Sequence, residues 1–333
     1  MATAAGRVMR MDFGRHSAPK LLGLIAIMGT WVTPSPTLAG DHEVPTPAEA
    51  ASILKNPTGS LSRGSTSGGE MIAAAELERE GEGFRLWGKV PRRGTNFGTS
   101  ELLEAIRATG RSVVAAHPDS TVIVANLSLQ KGGKSRWHHS HQAGRDVDIL
   151  LFAREGETRL QPSGFVDYGP DLAQEGRPGR SFDVERNLAV ARALVEQDAA
   201  PVQWIFIADY LKEAMLREAR RQGLEDDLME RLEGALHQPS DALPHADHFH
   251  VRVYCSHQDR LHGCLDVPPY WPWVERNDDA YAERVSQVLR LMDMSQAEWR
   301  KEGADYLALL RARGAVPRLV EGLEDPDTAV KRS

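Results

Sequence analysis

Two short segments with alternating polar and apolar residues constrain the fold of this chain most. Residues 146–152 read DVDILLF, and residues 249–254 read FHVRVY. Because alternate side chains of a β-strand face the same way, the polar residues of each segment line one face and the apolar residues the other. Two such strands side by side bring Asp148 and His250 to one point. The pattern therefore predicts a sheet in which these two strands are neighbours.

The histidines of the chain are concentrated in two places. Twelve are present, and six of them crowd residues 138–141 and 245–250. Neutral imidazole and carboxylate are the usual zinc ligands apart from cysteine. We predict that His141, Asp148 and His250 hold a metal ion. Three protein ligands leave one coordination position open, which is the catalytic rather than the structural zinc pattern.

The neighbouring residues suggest the remaining parts of a hydrolytic site. Gly144 allows the loop that carries the first histidines to turn sharply before the strand. His248 is the candidate general base. His245, His138 or the metal itself would stabilise the oxyanion, and Asp146 would orient a ligand histidine through its second ring nitrogen.

The start of the chain has the pattern of a secretory signal peptide. A basic stretch precedes the apolar residues 21–32, and Thr37-Leu-Ala39 offers a small-residue cleavage site. We predict a signal peptide over 1–39, the alternative being an uncleaved anchor, and no membrane span in the mature protein. Export to an oxidising compartment favours a disulfide between the two cysteines, Cys255 and Cys264, the alternative being two free thiols.

Composition and the placement of Gly, Pro and Ser indicate how the rest of the chain is organised. The formal net charge of −7 argues against a nucleic-acid-binding protein. Residues 40–83, rich in Pro, Gly and Ser, are predicted to be a flexible linker-like segment. Residues 84–270 are predicted to form an α+β domain with a largely antiparallel central sheet flanked by helices. Within it, Gly110 is expected to end a helix that Thr99 or Ser100 caps. Residues 278–333 are predicted to be a helical C-terminal appendage.

The two histidine motifs resemble those of the penicillin-insensitive murein endopeptidases. The resemblance lies in residues 140–149 (SHQAGRDVDI) and 247–252 (DHFHVR), followed by Cys255, and extends over about residues 84–270. These enzymes belong to a wider group with lysostaphin-type peptidases, D-Ala-D-Ala carboxypeptidases and the hedgehog amino-terminal domain. The resemblance implies the fold of that group.

The same resemblance implies a site and a reaction. The residues at the matching positions are His141, Asp148 and His250 for one zinc ion per chain, and His248, His245 and His138 for catalysis. Such enzymes cut the D-alanyl–meso-diaminopimelyl cross-link of peptidoglycan in the Gram-negative periplasm, without a serine nucleophile.

Two other functions fit the same motifs. One is a zinc carboxypeptidase that trims a terminal D-alanine from the same wall peptides. The other is a non-catalytic, zinc-bound protein that binds the cell wall or acts as a scaffold. Residues 278–333 have no counterpart in the resemblance, and we predict that these helices bind a protein partner.

Overall fold

The computed structural model of the protein describes residues 43–240 and 242–333. The predicted signal peptide, residues 1–39, lies outside the described residues. In the described part of the chain, no helix is both long enough and apolar enough to cross a membrane.

The described residues contain both helices and strands. The strands are β1 Leu61–Ser65, β2 Gly68–Ile72, β3 Ala75–Glu76, β4 Glu80–Gly81, β5 Phe84–Leu86, β6 Phe97–Gly98, β7 Val122–Val124, β8 Asp146–Leu150, β9 Ala153–Glu155, β10 Thr158–Leu160, β11 Arg180–Phe182, β12 Val202–Phe206, β13 Leu236–His237 and β14 His248–Val253. The α-helices are α1 Pro47–Leu54, α2 Val90–Arg93, α3 Ser100–Ala116, α4 Val184–Glu196, α5 Asp209–Gln222, α6 Asp226–Ala235, α7 His257–Arg260, α8 Asp278–Leu289, α9 Ala297–Leu309, α10 Val316–Gly322 and α11 Thr328–Lys331. Two 3-10 helices cover Arg290–Asp293 and Arg313–Ala315.

The central sheet is mixed, with the strand order β13-β12-β14-β8-β7-β5-β4. The pairs β12–β13 and β5–β7 are parallel, and the other neighbours are antiparallel. The prediction of an α+β fold is confirmed, whereas the description of the sheet as largely antiparallel is corrected to mixed. The physical reason is the crossover connection that a parallel pair requires: α3 joins β5 to β7, and α5 and α6 join β12 to β13.

Strands β8 and β14 are antiparallel neighbours in this sheet, as the alternating segments predict. Their register sets His250 opposite Asp148. The alternate residues between them, such as Val147 and Phe249, are fully buried in the main hydrophobic core. Burial of these apolar side chains therefore fixes which face of the two strands the polar residues occupy.

Helix α3 shows how a local signal was overridden by packing. Thr99 caps the helix, its hydroxyl accepting a hydrogen bond from the Leu102 N–H. The predicted stop at Gly110 was wrong, because α3 continues to Ala116. A Cβ at Gly110 would lie 2.8 Å from the carbonyl oxygen of Glu82, so this glycine allows the close approach of another backbone segment.

Residues 43–83 are not a linker in this structure, which corrects the prediction for this segment. They contain α1 and four strands, and β1 and β2 form an antiparallel hairpin. The hairpin pairs with the rest of the chain on two sides. The Gly64 N–H donates to the carbonyl of Gly263, and the Gln142 N–H donates to the carbonyl of Thr66. Backbone pairing over long sequence separations orders a segment whose own residues carry little periodicity.

The C-terminal helices form a second hydrophobic cluster together with α1. Ala50 from α1 packs among the buried residues of α8 and α9, including Val288 and Leu307. On α10, Val316 and Val320 remain more than half exposed. The expectation that these helices bind a protein partner stays a prediction.

A buried histidine in a disulfide-closed loop connects this helical cluster to the central domain. Cys255 and Cys264 are bonded, which confirms the predicted pair. Within the loop they close, His262 is buried with its Nδ1 against the hydroxyl of Tyr306 on α9. Arg284 on α8 donates to the same hydroxyl at 2.9 Å.

Replacing His262 with glutamine is expected to make the free energy of unfolding depend less on pH under mildly acidic conditions. Burial, followed by the charges of Arg284 and Arg63, lowers the pKa of His262 to about 4 from its ordinary value of 6.5. Between these values the unfolded chain binds a proton that the folded chain does not. Above the ordinary pKa, His262 does not lower the free energy of unfolding. As the pH falls from there towards about 4, burial of the neutral ring makes the free energy of unfolding decrease, by at most about 1.4 kcal/mol per pH unit.

The measurement is denaturant unfolding of the wild type and His262→Gln near pH 7 and near pH 4.5, roughly the limits of this window. The difference between the two free energies of unfolding should be smaller in the variant. An equal difference in both proteins contradicts the expectation.

Candidate metal centre

The loop before β8 brings His138 and His141 to the polar face of the sheet. Gly144 has φ +74°, a conformation that glycine adopts without strain, so the predicted sharp turn is confirmed. The Gly144 N–H donates to the hydroxyl of Ser128 at 2.9 Å, which anchors the turn.

His141 itself has an unusual backbone. Its φ of +61° is rare for a residue with a side chain, and such strain is concentrated at functional sites. The conformation is held by a hydrogen bond from the His141 N–H to Oδ2 of Asp146, at 3.0 Å. The strained backbone thus aims a fully buried imidazole at the sheet.

Four imidazoles surround the carboxylate of Asp148. Nε2 of His141 lies 3.3 Å from Oδ1, Nε2 of His248 lies 3.5 Å from it, and Nδ1 of His250 lies 3.8 Å from it. Nε2 of His138 lies 3.3 Å from the other oxygen, Oδ2. The structure therefore brings the three predicted metal ligands together, with two of the predicted catalytic histidines beside them.

Hydrogen-bonding groups behind the rings determine which nitrogen faces the centre. Nδ1 of His141 lies 3.2 Å from the carbonyl oxygen of Leu127, which leaves Nε2 free for the centre. Nε2 of His250 lies 3.4 Å from Oδ1 of Asp146 without hydrogen-bond geometry, and Nδ1 is the nitrogen on the side of Asp148. Partners of this kind fix the orientation of metal-binding histidines and strengthen them as ligands.

His248 has a different partner, Asp247. Nδ1 of His248 and Oδ1 of Asp247 are 2.6 Å apart, so the other ring nitrogen points towards Asp148. The ring of Phe165 packs edge-on against His248, with centroids 5.0 Å apart. The imidazole is thus held on one side by a carboxylate and on the other by an apolar ring.

Electrostatics favour a charged carboxylate at the middle of the site. Burial is the largest single effect and raises the pKa of Asp148, but His141, His248 and His138 together hold this pKa well below its usual range. Burial is the largest single effect on His141 and His248 and lowers the pKa of both, but Asp148 together with Asp146 at His141, and with Asp247 at His248, raises each pKa overall.

The other three histidines are kept neutral. Burial lowers the pKa of His138 to about 4, against the opposing charge of Asp148. Burial, with the charge of His248, lowers the pKa of His245 to about 3. Burial likewise lowers the pKa of His250. Neutral imidazole is the form that binds metal ions.

Buried polar atoms without a hydrogen-bond partner are concentrated at this site. Five of the seven such side-chain atoms among the described residues belong to it: His138 Nε2, His141 Nε2, Asp148 Oδ1, His245 Nδ1 and His250 Nε2. Buried polar groups normally have partners, and a cluster of exceptions points to an ion. The donor set of imidazole nitrogens and one carboxylate suits zinc.

Two sets of three that include Asp148 have a spacing near that of zinc ligands: the predicted His141, Asp148 and His250, and the set His138, His141 and Asp148, whose ligand atoms lie within 4.8 Å of one another. Ligand atoms at zinc distances in a tetrahedron lie roughly 3.3–3.6 Å apart. The separations of His141 and His250 from Asp148 Oδ1, 3.3 and 3.8 Å, are close to this range. His138 faces Oδ2 instead, which already accepts a hydrogen bond from Nδ2 of Asn126 at 3.3 Å.

His245 packs against both His250 and His248. Its ring is 5.5 Å from that of His250 and 5.0 Å from that of His248, centroid to centroid. Candidate ligand atoms of these three histidines lie within 4.8 Å of one another. All six residues predicted for metal binding and catalysis are therefore part of one cluster.

Sequence reasoning missed three polar residues that contact this cluster: Asn126, Asp247 and Arg252. Asp247 directly precedes His248, so an acid beside a candidate base was an available signal. Asn126 follows β7 and Arg252 lies on β14, and no local pattern distinguishes them. Their roles depend on the register of neighbouring strands.

Asp146 connects the strained loop to the sheet through both of its carboxylate oxygens. Oδ2 accepts the His141 N–H, Oδ1 accepts from Nε of Arg252 at 2.7 Å, and Oδ1 also faces His250. We expect Asp146→Asn to weaken metal affinity by about 10- to 100-fold, the usual effect of removing a partner of a metal ligand. Competition with a chelating dye measures this affinity.

Asp209→Asn, a change to an exposed carboxylate at the start of α5, is the matched control and should leave the affinity unchanged. Equal affinity in Asp146→Asn and the wild type would contradict a supporting role for Asp146.

A buried carboxylate surrounded by imidazoles on two inner strands of an α+β sheet is the kind of donor set that metallopeptidases use. Residues 62–272 match the penicillin-insensitive murein endopeptidase family, and the chain belongs to that family. The matched segment begins in β1, before the predicted domain start at residue 84. No curated protein matches the chain.

Proposed function

We propose that this protein is a zinc-dependent D,D-endopeptidase that hydrolyses the D-alanyl–meso-diaminopimelyl cross-link of peptidoglycan. Membership of the murein endopeptidase family supports the reaction class. The convergence of His141, His248 and His250 on one oxygen of Asp148 is the observation that carries the metal-dependent chemistry. In this proposal His141, Asp148 and His250 hold one zinc ion per chain.

The proposal assigns the remaining residues to proton transfer and charge stabilisation. A bound zinc ion supplies Lewis-acid polarisation and makes a water molecule nucleophilic near neutral pH. Nε2 of His248, in a ring oriented by Asp247, would accept a proton from the attacking water and return it to the leaving amine. His138 and His245, held neutral by burial, donate hydrogen bonds to the developing oxyanion.

We further propose that the catalytic domain has the fold of the lysostaphin and D-Ala-D-Ala carboxypeptidase group. The support is the antiparallel pair β8 and β14, which presents an aspartate and a histidine from opposite register positions. In this proposal the domain corresponds to residues 84–270 together with the hairpin at its start, and residues 278–333 form an appendage.

Cellular location is part of the same proposal. A signal peptide over residues 1–39 would export the chain to the periplasm, where its substrate lies. The bond between Cys255 and Cys264 supports an oxidising compartment, since such bonds rarely persist in the cytosol.

Digestion of defined muropeptides tests the proposal. The purified protein should contain about one zinc ion per chain, since the proposed ligands His141, Asp148 and His250 hold one ion. It should convert cross-linked dimers to monomers, read by mass spectrometry. A chelator should stop the reaction and added zinc should restore it.

Other outcomes point to the other functions. Release of a terminal D-alanine from monomers, with dimers left intact, indicates a carboxypeptidase. Binding of sacculi without any cleavage, with zinc present, indicates a binding protein.

A further inference from the structure

One group of side chains at the mouth of the candidate metal centre has no part in the chemistry described above. It consists of two tryptophans and three cations, and we call it the Trp–Arg cluster: Trp87, Lys89, Arg93, Arg136 and Trp137. Trp137 directly precedes His138, and it is 37% exposed, so the cluster is open to solvent beside the site.

Arg93 is the central residue of the Trp–Arg cluster. Its guanidinium carbon lies 5.0 Å from the ring centre of Trp87 and 5.1 Å from that of Trp137. Its Nη1 donates to Oδ1 of Asn126 at 2.9 Å, and Asn126 in turn donates to Asp148. Arg93 is therefore held in a fixed position one residue away from the proposed ligand Asp148.

The rest of this guanidinium is free to bind something else. Among the described residues, neither Nε nor Nη2 of Arg93 has a hydrogen-bond acceptor, and Arg93 has no ion-pair partner. Lys89 and Arg136 also lack an acidic partner within the described ranges, although each lies over one of the tryptophan rings. Three uncompensated cations in a protein of net charge −7 make this mouth locally positive.

We propose that Arg93 is a substrate-binding residue for the carboxylate next to the scissile bond. This inference rests on the proposed function. In the D-alanyl–meso-diaminopimelyl link, the nitrogen released by hydrolysis is attached to a carbon that bears a free carboxylate. That anion lies within a few bonds of the reacting carbonyl. Arg93 is similarly close to the metal centre, because it donates to Asn126, which donates to Asp148. The planar fork of arginine matches a carboxylate in shape and charge.

A purely structural role for Arg93 makes a different prediction. If Arg93 only holds Asn126 against Asp148, its loss impairs the centre equally for every substrate. If Arg93 binds the carboxylate, its loss matters only for substrates that carry one. The comparison therefore needs two dimers that differ only at this group: the natural dimer, and one with a carboxamide in its place.

The experiment measures kcat/KM of Arg93→Gln and wild type on both dimers. We expect the variant to lose about 10- to 100-fold on the carboxylate dimer, the range for a hydrogen bond to a charged group. On the carboxamide dimer the wild type should already be slower, and the variant should match it. Zinc content should be unchanged. Arg92→Gln, an exposed neighbour on α2, is the matched control and should behave as the wild type.

Equal losses of Arg93→Gln on both dimers would overturn the inference and leave only a positioning role. A separate measurement covers failure of the proposed function itself, in which the wild type cleaves neither dimer. Titration calorimetry of the full chain with monomeric stem peptides, carboxylate against carboxamide, then decides. The inference requires tighter binding of the carboxylate peptide by the wild type, and loss of that preference in Arg93→Gln. The absence of any preference in the wild type contradicts it.

Discussion

Replacement of Asp148 by asparagine is expected to remove the metal ion and, with it, essentially all hydrolysis. The variant keeps the shape of a fully buried side chain but loses the charge that four ring nitrogens face. An anionic oxygen is the strongest single attraction for a divalent cation here. Turnover should fall by at least about 10³-fold, the scale of several kcal/mol of lost Lewis-acid stabilisation.

Elemental analysis of the purified variant measures the metal, and muropeptide digestion measures turnover. His250→Gln should behave in the same way, since Nδ1 of His250 faces the same oxygen. His139→Ala is the matched control, because His139 is an exposed histidine of the same loop. A full complement of zinc in Asp148→Asn would show that the metal binds elsewhere.

Replacement of His248 by alanine is expected to separate proton transfer from metal binding. His248 is held by Asp247, and its free nitrogen faces the centre at a slightly greater distance than that of His141. Loss of a general base typically costs about 10²–10⁴-fold in turnover. The variant should therefore be nearly inactive while retaining one zinc ion per chain.

The assay pairs turnover on dimers with zinc content for His248→Ala and for His257→Ala, an exposed histidine on α7. His257→Ala should match the wild type in both. Asp247→Asn should give a smaller loss than His248→Ala, because the ring stays in place and only its orienting charge is removed. Loss of zinc from His248→Ala would instead make His248 a metal ligand.

Local patterns predicted the parts of this protein that repeat with the period of a strand. The alternation in residues 146–152 and 249–254 predicted two adjacent strands, and β8 and β14 are antiparallel neighbours with His250 opposite Asp148. The reason is that apolar residues at every second position can be buried together in only one way. The cysteine pair was equally predictable, because only two cysteines are present.

Patterns failed where long-range contacts decide the structure. Gly110 has the residue type that ends helices, yet it lies inside α3 because another backbone segment packs against it. Residues 61–72 have the composition of a linker, yet they form a hairpin because the loops around residues 142 and 263 pair with them. Composition reports the tendency of a segment alone and not the partners that the fold provides.

The sequence by itself therefore determined which residues have metal-binding chemistry, and that His250 and Asp148 lie on the polar faces of two strands. Only the tertiary structure decided which ring nitrogen of each histidine faces the centre, that Asp247 supports His248, and that Arg93 lies between two tryptophans beside Asn126. The physical reason is distance along the chain. Side-chain period is a local property, whereas these contacts join residues from separate elements that meet only when the sheet and its loops are assembled.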